Sequence, residues 1–178
     1  MSDFWVFGYG SLMWRPGFAH RERAPALLAG AHRSLCIYSW VHRGSRARPG
    51  LVLGLDHGGS CHGVAYRVDG DTRDDVMAYL RERELVTNVY RETWRPVRLI
   101  KSGSRTVTAL AYVADRGHAQ YAGRLPRSAL LGHVGQASGR SGDNAAYVIN
   151  TAGHLRELGI RDATLEWLAA ALGSGGQR

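Results

Sequence analysis

A glycine-rich turn near the N-terminus is the first feature of this sequence that could do chemistry. Gly8-Tyr9-Gly10-Ser11-Leu12 follows an apolar run at residues 4–7, which predicts a buried strand. Two glycines around an aromatic residue let neighbouring backbone N–H groups converge, and such a nest binds a carboxylate or phosphate. The pattern is also typical of a plain glycine turn. It lacks the GxGxxG and GK[ST] patterns of nucleotide-binding loops and the GxSxG elbow that would make Ser11 a nucleophile.

A carboxylate at the end of a predicted helix is the candidate general base. Residues 71–84 place apolar side chains at the i, i+3 and i+4 spacing of one helix face. Glu84 follows Leu80 on that side, whereas Glu82 must face elsewhere because it lies two positions away. Partial burial would raise the pKa of Glu84 towards neutrality, as a general base requires. The charged run at residues 81–84 is equally typical of an exposed helix face.

Two further side chains could contact an anionic substrate. Arg43 follows a predicted strand and has the planar guanidinium that can hold a carboxylate through two hydrogen bonds. Tyr147 follows the polar, glycine-rich stretch 137–144, which predicts a helix start capped by Asp143 or Asn144. From the first turn of that helix, Tyr147 can point back towards a cleft. The capping signal alone is also a sufficient structural reason for this stretch.

Histidine and cysteine spacing predicts neither a metal site nor a cofactor. The eight histidines are scattered, with no HxxxH spacing and no Cys–His cluster. Cys36 and Cys61 lack CxxC spacing and are expected to be buried in the core of a protein from a reducing compartment. The sequence shows no secretory signal and no apolar run long enough to span a membrane. We therefore expect a cytoplasmic protein with no membrane partner.

The basic charge could suggest a nucleic-acid partner, but its distribution argues against one. The formal net charge is +8, and Lys101 is the only lysine among 23 basic residues. The arginines are spread along the chain, whereas nucleic-acid-binding proteins concentrate basic residues on one element. An RNA-binding module would also carry aromatic-rich basic motifs, which are absent from the sequence. We therefore expect a small-molecule substrate and no nucleic acid.

The elements that must position these residues form an α+β pattern within a single domain. Strands fill most of the first two thirds, and their mostly short connections favour antiparallel pairing. Helices dominate the rest, and residues 173–178 are predicted to form a flexible tail after a domain of residues 1–172. The predicted strands cover residues 4–7, 33–42, 51–55, 62–68, 94–100 and 106–113, with a turn at 57–60, and the predicted helices cover 71–84 and 164–172 within a helical region that starts near 128.

Several segments, taken together and in order, resemble the ChaC family of glutathione-specific γ-glutamylcyclotransferases. The resemblance covers nearly the whole chain. One YGSL turn would be modest support, whereas all of the segments in sequence are strong support. The matching stretches are WVFGYGSLMWRPGF at 5–18, HRG at 42–44, RPGLV at 48–52, GVAYRV at 63–68, YL to RE at 79–84, SG to Y at 138–147 and LGIRD at 158–162.

The resemblance implies a fold, a reaction and a site. The fold would be a closed, mixed β-barrel flanked by helices, with the YGSL turn at the barrel mouth. The family cleaves the γ-glutamyl bond of glutathione, giving 5-oxoproline and cysteinylglycine without a cofactor. The family's general base is a glutamate that maps to Glu84. Backbone amides of the turn hold the γ-glutamyl end, and these map to Gly8, Tyr9, Gly10, Ser11, Leu12 and Met13.

One departure from the family pattern follows the mapped base. Family members commonly carry a glycine-containing segment directly after the catalytic glutamate, whereas residues 85–90 read LVTNVY here. The lip of the pocket can therefore differ, which leaves a cyclotransferase for another γ-glutamyl amine or peptide as an alternative. A second alternative is a non-catalytic barrel whose turn binds an anion without turnover. In that case, loss of Glu84 would leave ligand binding intact.

Overall fold

The computed structural model describes residues 2–101 and 103–175, and its long strands close into a five-stranded barrel. The barrel order is β1-β3-β2-β4-β5, with β1 antiparallel to β3 and parallel to β5, and with β4 antiparallel to both β2 and β5. This confirms the closed, mixed barrel. The elements are β1 (Phe4–Gly8), β2 (Glu22–Ser39), β3 (Gly50–Val68), α1 (Arg73–Glu84), β4 (Tyr90–Leu99), β5 (Thr106–Ala114), α2 (Arg127–Gln136), β6 (Ser138–Gly139), β7 (Gly142–Asp143), α3 (Asn144–Glu157) and α4 (Ala163–Ser174), with short 3-10 helices at Ser11–Met13 and Gly70–Thr72.

Strand β1 pairs with β3 on one edge and with β5 on the other, and it is buried along its whole length. All five of its residues are buried. The sequence predicts this, because an uninterrupted apolar run suits a strand that is covered on both faces. Its C-terminal residue, Gly8, pairs with Val64 of β3, and Val6 pairs with Leu110 of β5. The glycine turn therefore starts from a strand that is hydrogen-bonded on both edges.

Helix α1 packs its apolar side against the barrel strands. Acidic residues in its first turn and arginines in its last turn both interact favourably with the helix dipole. Burial of the apolar side sets the rotation of the helix, and therefore which of its carboxylates lies near the core. The shared core consists of Val76, Met77 and Leu80 from α1 with Phe4, Val6, Leu12, Val68, Leu110 and Tyr112.

Strand β3 differs from the prediction of two short strands joined by a turn. Residues 57–60 lie inside one continuous 19-residue strand. Gly58 and Gly59 have φ values of 95° and 70°, which glycine adopts without steric cost. The Nδ1 atom of His32 lies 2.9 Å from the Gly58 carbonyl oxygen. The glycine pair therefore marks a local irregularity within a long strand, and the prediction of a turn was wrong.

Strand β2 also begins earlier than predicted, at Glu22 instead of residue 33, and it ends at Ser39 instead of residue 42. The early part of the strand alternates buried and less buried residues, with Ala24, Ala26 and Leu28 buried. Alanine is depleted in strands, so this stretch carries a weak sequence signal. Tertiary pairing decides it, because Ala26 and Leu28 pair with β4.

The β4–β5 hairpin is confirmed, although β4 begins at Tyr90 instead of residue 94. The two strands pair antiparallel from Tyr90 opposite Ala114 to Arg98 opposite Thr106. The predicted turn at residues 101–104 includes Ser102, which lies outside the described residues. The hairpin places Glu92 and Tyr112 opposite each other, and both side chains matter for the site.

The chain divides into two compact units. The first comprises residues 1–34 and 54–119, and the second comprises residues 35–53 and 120–178. In the second unit α2, α3 and α4 pack on one another, with the Arg127 guanidinium 4.7 Å from the centre of the Trp167 ring. Helix α4 continues to Ser174, so residues 173 and 174 of the predicted tail are helical, while residues 176–178 lie outside the described residues. The single domain of residues 1–172 stays a prediction.

Cys36 and Cys61 are both buried, as predicted. Across residues 2–101 and 103–175, no helix combines the length and the apolar character needed to cross a bilayer.

Candidate active site

The turn after β1 forms the first part of the candidate site. From Gly8 the chain passes through Tyr9 and Gly10 into the 3-10 helix that begins at Ser11. The Met13 N–H donates to the Gly10 carbonyl oxygen at 2.9 Å and closes the turn. Leu12 and Met13 are buried and Ser11 is exposed, so the turn is anchored on one side and open on the other.

Close packing restricts two glycines at the turn. A β-carbon on Gly63 of β3 would overlap the Gly8 carbonyl oxygen and lie 2.7 Å from the Phe7 ring. Real β-carbons avoid contacts this short, so close approach requires glycine at position 63. A β-carbon on Gly8 would lie 3.0 Å from the Leu12 Cβ, which Leu12 could accommodate only by shifting a few tenths of an ångström.

Long-range side chains hold the carbonyl groups at the two ends of the turn. Arg33 donates from Nε to the Tyr9 carbonyl oxygen at 2.6 Å and from Nη2 to the His62 carbonyl oxygen at 2.6 Å. At the other end, the buried Tyr66 hydroxyl donates to the Met13 carbonyl oxygen at 2.6 Å. A turn fixed at both ends presents its N–H groups in one arrangement, which favours ligand binding because little order is lost.

The second part of the candidate site is the carboxyl of Glu84, the last residue of α1. Its side chain is only 18% exposed, whereas Glu82 is exposed. This matches the predicted helix phase. Burial raises the pKa of the Glu84 carboxyl, and the neighbouring Arg83 charge acts in the opposite direction. Arg83 Nε lies 3.3 Å from Glu84 Oε1. The carboxyl therefore gives up its proton less readily than an exposed glutamate.

A second carboxyl near the same place behaves differently. Arg81 donates from Nε and Nη2 to the two oxygens of Glu92, each at 2.9 Å. These hydrogen bonds lower the pKa of Glu92, so it stays ionised. The buried Tyr112 hydroxyl lies 3.3 Å from Glu92 Oε2 and donates to it. Burial, and then the charges of Glu92 and Glu84, raise the pKa of Tyr112 well above its usual range. Environments that separate two carboxyl pKa values are typical of acid–base sites.

Arg83 connects the turn to the end of α1. Its Nη2 donates to Ser11 Oγ at 2.8 Å, and its Nη1 donates to the Arg15 carbonyl oxygen at 2.7 Å. The same guanidinium contacts Glu84. The turn residues and Glu84 are thus brought together within the first unit. The role of Arg83 was not predicted from the sequence. Its position four residues after Tyr79 and next to the candidate base was the only available signal.

Arg43 and Tyr147 lie in the second unit, where they contact each other. The Arg43 guanidinium is 5.4 Å from the centre of the Tyr147 ring, and its Nη1 donates to the Asp143 carbonyl oxygen at 3.4 Å. The Tyr147 hydroxyl accepts a hydrogen bond from the Leu53 N–H at 3.1 Å. The pair therefore has a structural role in its own unit, and contact with substrate stays a prediction.

The stretch before α3 caps the helix less simply than the sequence suggests. Asp143 occupies the N-cap position, but its side chain makes no capping hydrogen bond among the described residues. The buried Asn144 side chain instead bonds the backbone of Leu51, accepting from its N–H and donating to its carbonyl oxygen, both at 2.8 Å. This amide pairs with β3 like an additional strand residue, which sequence spacing could not reveal.

Metal-ligating side chains do not cluster in the described part of the chain. Over residues 2–101 and 103–175, no group of three or more His, Cys, Asp or Glu side chains could hold a metal ion.

Known proteins share this arrangement of sequence and fold. A chain from Escherichia coli K12 named glutathione-specific gamma-glutamylcyclotransferase is 34% identical over 94% of this chain and 72% of its own length. The human glutathione-specific gamma-glutamylcyclotransferase 1 is 34% identical over 96% of this chain and 78% of its own length. A crystal structure of the glutathione-specific enzyme from yeast superimposes with a TM-score of 0.85 at 23% identity, covering 98% of this chain and 97% of that one.

The family assignment rests on the whole length of the barrel and its helices. A sequence model described as ChaC-like protein matches residues 4–174, from the first residue of β1 to the last residue of α4. The match includes the turn after β1 and the C-terminal end of α1. This chain belongs to the ChaC-like family.

Proposed function

We propose that this protein is a γ-glutamylcyclotransferase that cleaves glutathione into 5-oxoproline and cysteinylglycine, with Glu84 as general acid and base. The observation that carries the proposal is the mostly buried Glu84 carboxyl, whose pKa is raised and which Arg83 links to the turn after β1. The names of the relatives from Escherichia coli and human support glutathione as the substrate.

The reaction needs only one proton-transfer group, because the nucleophile and the electrophile belong to one molecule. The substrate's α-amine attacks its own γ-carbonyl carbon, a carbon–nitrogen bond closes the five-membered ring, and the bond to the cysteine nitrogen breaks. The enzyme must fold the glutamyl chain into the attacking conformer, which lowers the entropic part of the barrier. It must also remove a proton from the ammonium group, since only the free amine is nucleophilic.

Glu84 suits both proton transfers. As a carboxylate it accepts a proton from the ammonium group, and as a carboxylic acid it donates that proton to the departing amide nitrogen. The ring nitrogen releases a second proton when the tetrahedral adduct collapses, and this proton ends on the α-amine of cysteinylglycine, so the count balances. A raised pKa makes the second step easier, because the acid form is then more accessible than that of an exposed glutamate. Glu92 is a poor candidate, since two hydrogen bonds from Arg81 hold it in the ionised form.

The turn would bind the γ-glutamyl end through its backbone. The Met13 N–H donates to the Gly10 carbonyl oxygen, so this amide holds the turn in shape instead of binding the ligand. The Ser11 hydroxyl accepts from Arg83, which suits an orienting role better than nucleophilic attack. The mechanism uses neither a metal nor a cofactor, since a proton is the only species that the protein must move.

The test is product analysis with matched variants. Purified protein is incubated with glutathione, and 5-oxoproline and cysteinylglycine are quantified by mass spectrometry. We expect the two products in equal amounts, unchanged after treatment with EDTA, and strongly reduced for Glu84→Gln but not for Glu82→Gln. Folded wild-type protein that forms no 5-oxoproline at millimolar glutathione would refute the activity.

A related γ-glutamyl peptide or amine is the second candidate substrate, because residues 85–90 depart from the family pattern. Asn88 has a φ of 56°, in the left-handed region that asparagine tolerates better than most residues, so the chain turns here without glycine. Val86 is 71% exposed in the same segment. Comparing kcat/KM for glutathione with that for γ-glutamyl-alanine decides between the two. Ligand binding without turnover, retained in Glu84→Gln, would support the non-catalytic barrel.

A further inference from the structure

The Arg83 side chain makes several hydrogen bonds that have no part in the proposed proton transfers. They join the end of α1 to Ser11 of the turn and to the segment that follows the turn. We propose that Arg83 is the positioning residue of this site: its guanidinium fastens the segment after the turn to the end of α1 and keeps a positive charge beside Glu84. The proposal rests on the proposed function for its kinetic part. Its structural part stands on hydrogen bonds within the first unit.

The contacts of the guanidinium join parts of the chain that are far apart in sequence. Besides its bonds to Ser11 Oγ and the Arg15 carbonyl oxygen, Nη1 lies 3.3 Å from the Pro16 carbonyl oxygen and 3.0 Å from the Tyr79 hydroxyl. The Arg83 side chain is 20% exposed. Its bonds to Pro16 and Tyr79 are partly buried, whereas those to Ser11 and Arg15 are exposed. A rigid fork with several donors can satisfy this set of acceptors, whereas a single ammonium group cannot reach them all.

The same segment is held against α1 at a second point. Gly17 has a φ of 76°, and a β-carbon there would overlap the Tyr79 hydroxyl group. Phe18 then packs edge-on against the Tyr79 and Tyr66 rings, with centroid distances of 6.4 and 5.7 Å. Residues 11–18 therefore lie along the surface of α1, and Arg83 supplies the polar bonds of that contact. Loss of those bonds would free the open side of the turn.

The charges around Glu84 give Arg83 a second role. On α1 the adjacent Arg83 guanidinium favours the ionised carboxylate. From β5 the Tyr112 hydroxyl faces the same region and stays protonated at neutral pH. Glu92 of β4 accepts a hydrogen bond from Tyr112, and its negative charge is offset by the paired Arg81 guanidinium. Arg83 is thus the cation that offsets the burial of Glu84, so its removal should make Glu84 ionise at higher pH.

Two substitutions at Arg83 separate these roles. Arg83→Lys keeps the charge but loses the fork, so kcat should fall about 10- to 100-fold through misplacement of the turn, with the acidic limb of the pH profile close to that of wild type. Arg83→Gln loses the charge, so kcat should fall and the acidic limb of kcat/KM should move to higher pH. Ser11→Ala removes one acceptor only, and it should change kcat/KM by a few-fold without moving the limb.

The readouts are steady-state kinetics from pH 5 to pH 9, circular dichroism for folding, and an NMR titration of the Glu84 side-chain carboxyl. The NMR titration needs no turnover, so an upward move for Arg83→Gln supports the charge role even if glutathione is not the substrate. Failure of the proposed function shows as a wild-type protein without product. The positioning role is overturned if folded Arg83→Lys has wild-type kcat, and the charge role is overturned if Arg83→Gln titrates like wild type. If Arg83→Gln does not fold, the kinetics of Arg83→Lys still decide whether Arg83 has the positioning role.

Discussion

Glu84→Gln, compared with Glu82→Gln, is the sharpest test of the mechanism. Glutamine keeps the size of the side chain, but it has no basic oxygen near neutral pH, so the ammonium proton loses its acceptor. General-base groups contribute about 10²–10⁴-fold, and each tenfold corresponds to about 1.4 kcal/mol of barrier. We therefore expect kcat to fall at least about a hundredfold, equivalent to about 2.7 kcal/mol. KM should change little, because the amide oxygen still accepts a hydrogen bond from the ammonium group.

The matched control follows from exposure. Glu84 is 18% exposed and Glu82 is exposed on the same helix, so the two variants have the same chemistry in different surroundings. Glu82→Gln should change kcat less than about twofold and the free energy of unfolding by less than about 0.5 kcal/mol. A dead Glu82→Gln with an active Glu84→Gln would reverse the helix phase. If both variants stay active and folded on glutathione, a single carboxylate is not the base.

Glu84→Gln should lower activity but raise the free energy of unfolding, and the gain in stability should depend on pH. The folded state raises the pKa of Glu84 above its value in the unfolded chain, so between these two values the folded state holds the extra proton. The free energy of unfolding therefore falls as pH rises through this window, and Glu84→Gln escapes that loss. Thermal unfolding should show the variant to be more stable than wild type above the folded pKa, with the difference shrinking as pH falls through this window and absent below the usual glutamate pKa.

Three further substitutions test the framework around the site. Gly63→Ala should lower kcat/KM at least about tenfold and lower the free energy of unfolding by about 1–3 kcal/mol, because its β-carbon would overlap the Gly8 carbonyl oxygen. Wild-type kinetics for this variant would contradict the tight packing of the turn. Asn144→Ala should lower Tm by roughly 6–12 °C, since it leaves two buried backbone groups unpaired at about 3 kcal/mol, whereas exposed Asn150→Ala should leave Tm nearly unchanged; equal Tm values would refute this. Asn88→Gly should match or exceed wild-type stability in urea, and Asn88→Ala should lose about 1 kcal/mol, because the backbone there has positive φ; the reverse order would contradict the dihedral angle.

Local patterns in the sequence predicted the elements whose signals lie within a few neighbouring residues. The apolar run of β1, the β4–β5 hairpin and the phase of α1 all follow from short-range periodicity. The opposite exposure of Glu82 and Glu84 belongs to the same class, since a helix places residues two positions apart on different faces. The closed barrel was expected from the family resemblance and not from periodicity.

Other features were decided by contacts between distant residues. The glycine pair at 58 and 59 has the composition of a turn, but β3, which lies between β1 and β2 in the barrel, runs through it. Arg83 meets Ser11 across 72 positions of sequence, and Asn144 meets Leu51 across 93. No local pattern encodes these partners, because hydrogen bonds of this kind form only when barrel closure and helix packing bring the two groups within reach. The sequence alone thus determined which residues could take part in acid–base chemistry or bind an anion. The tertiary structure decided that Arg83 contacts both Ser11 of the turn and the mostly buried Glu84 carboxyl.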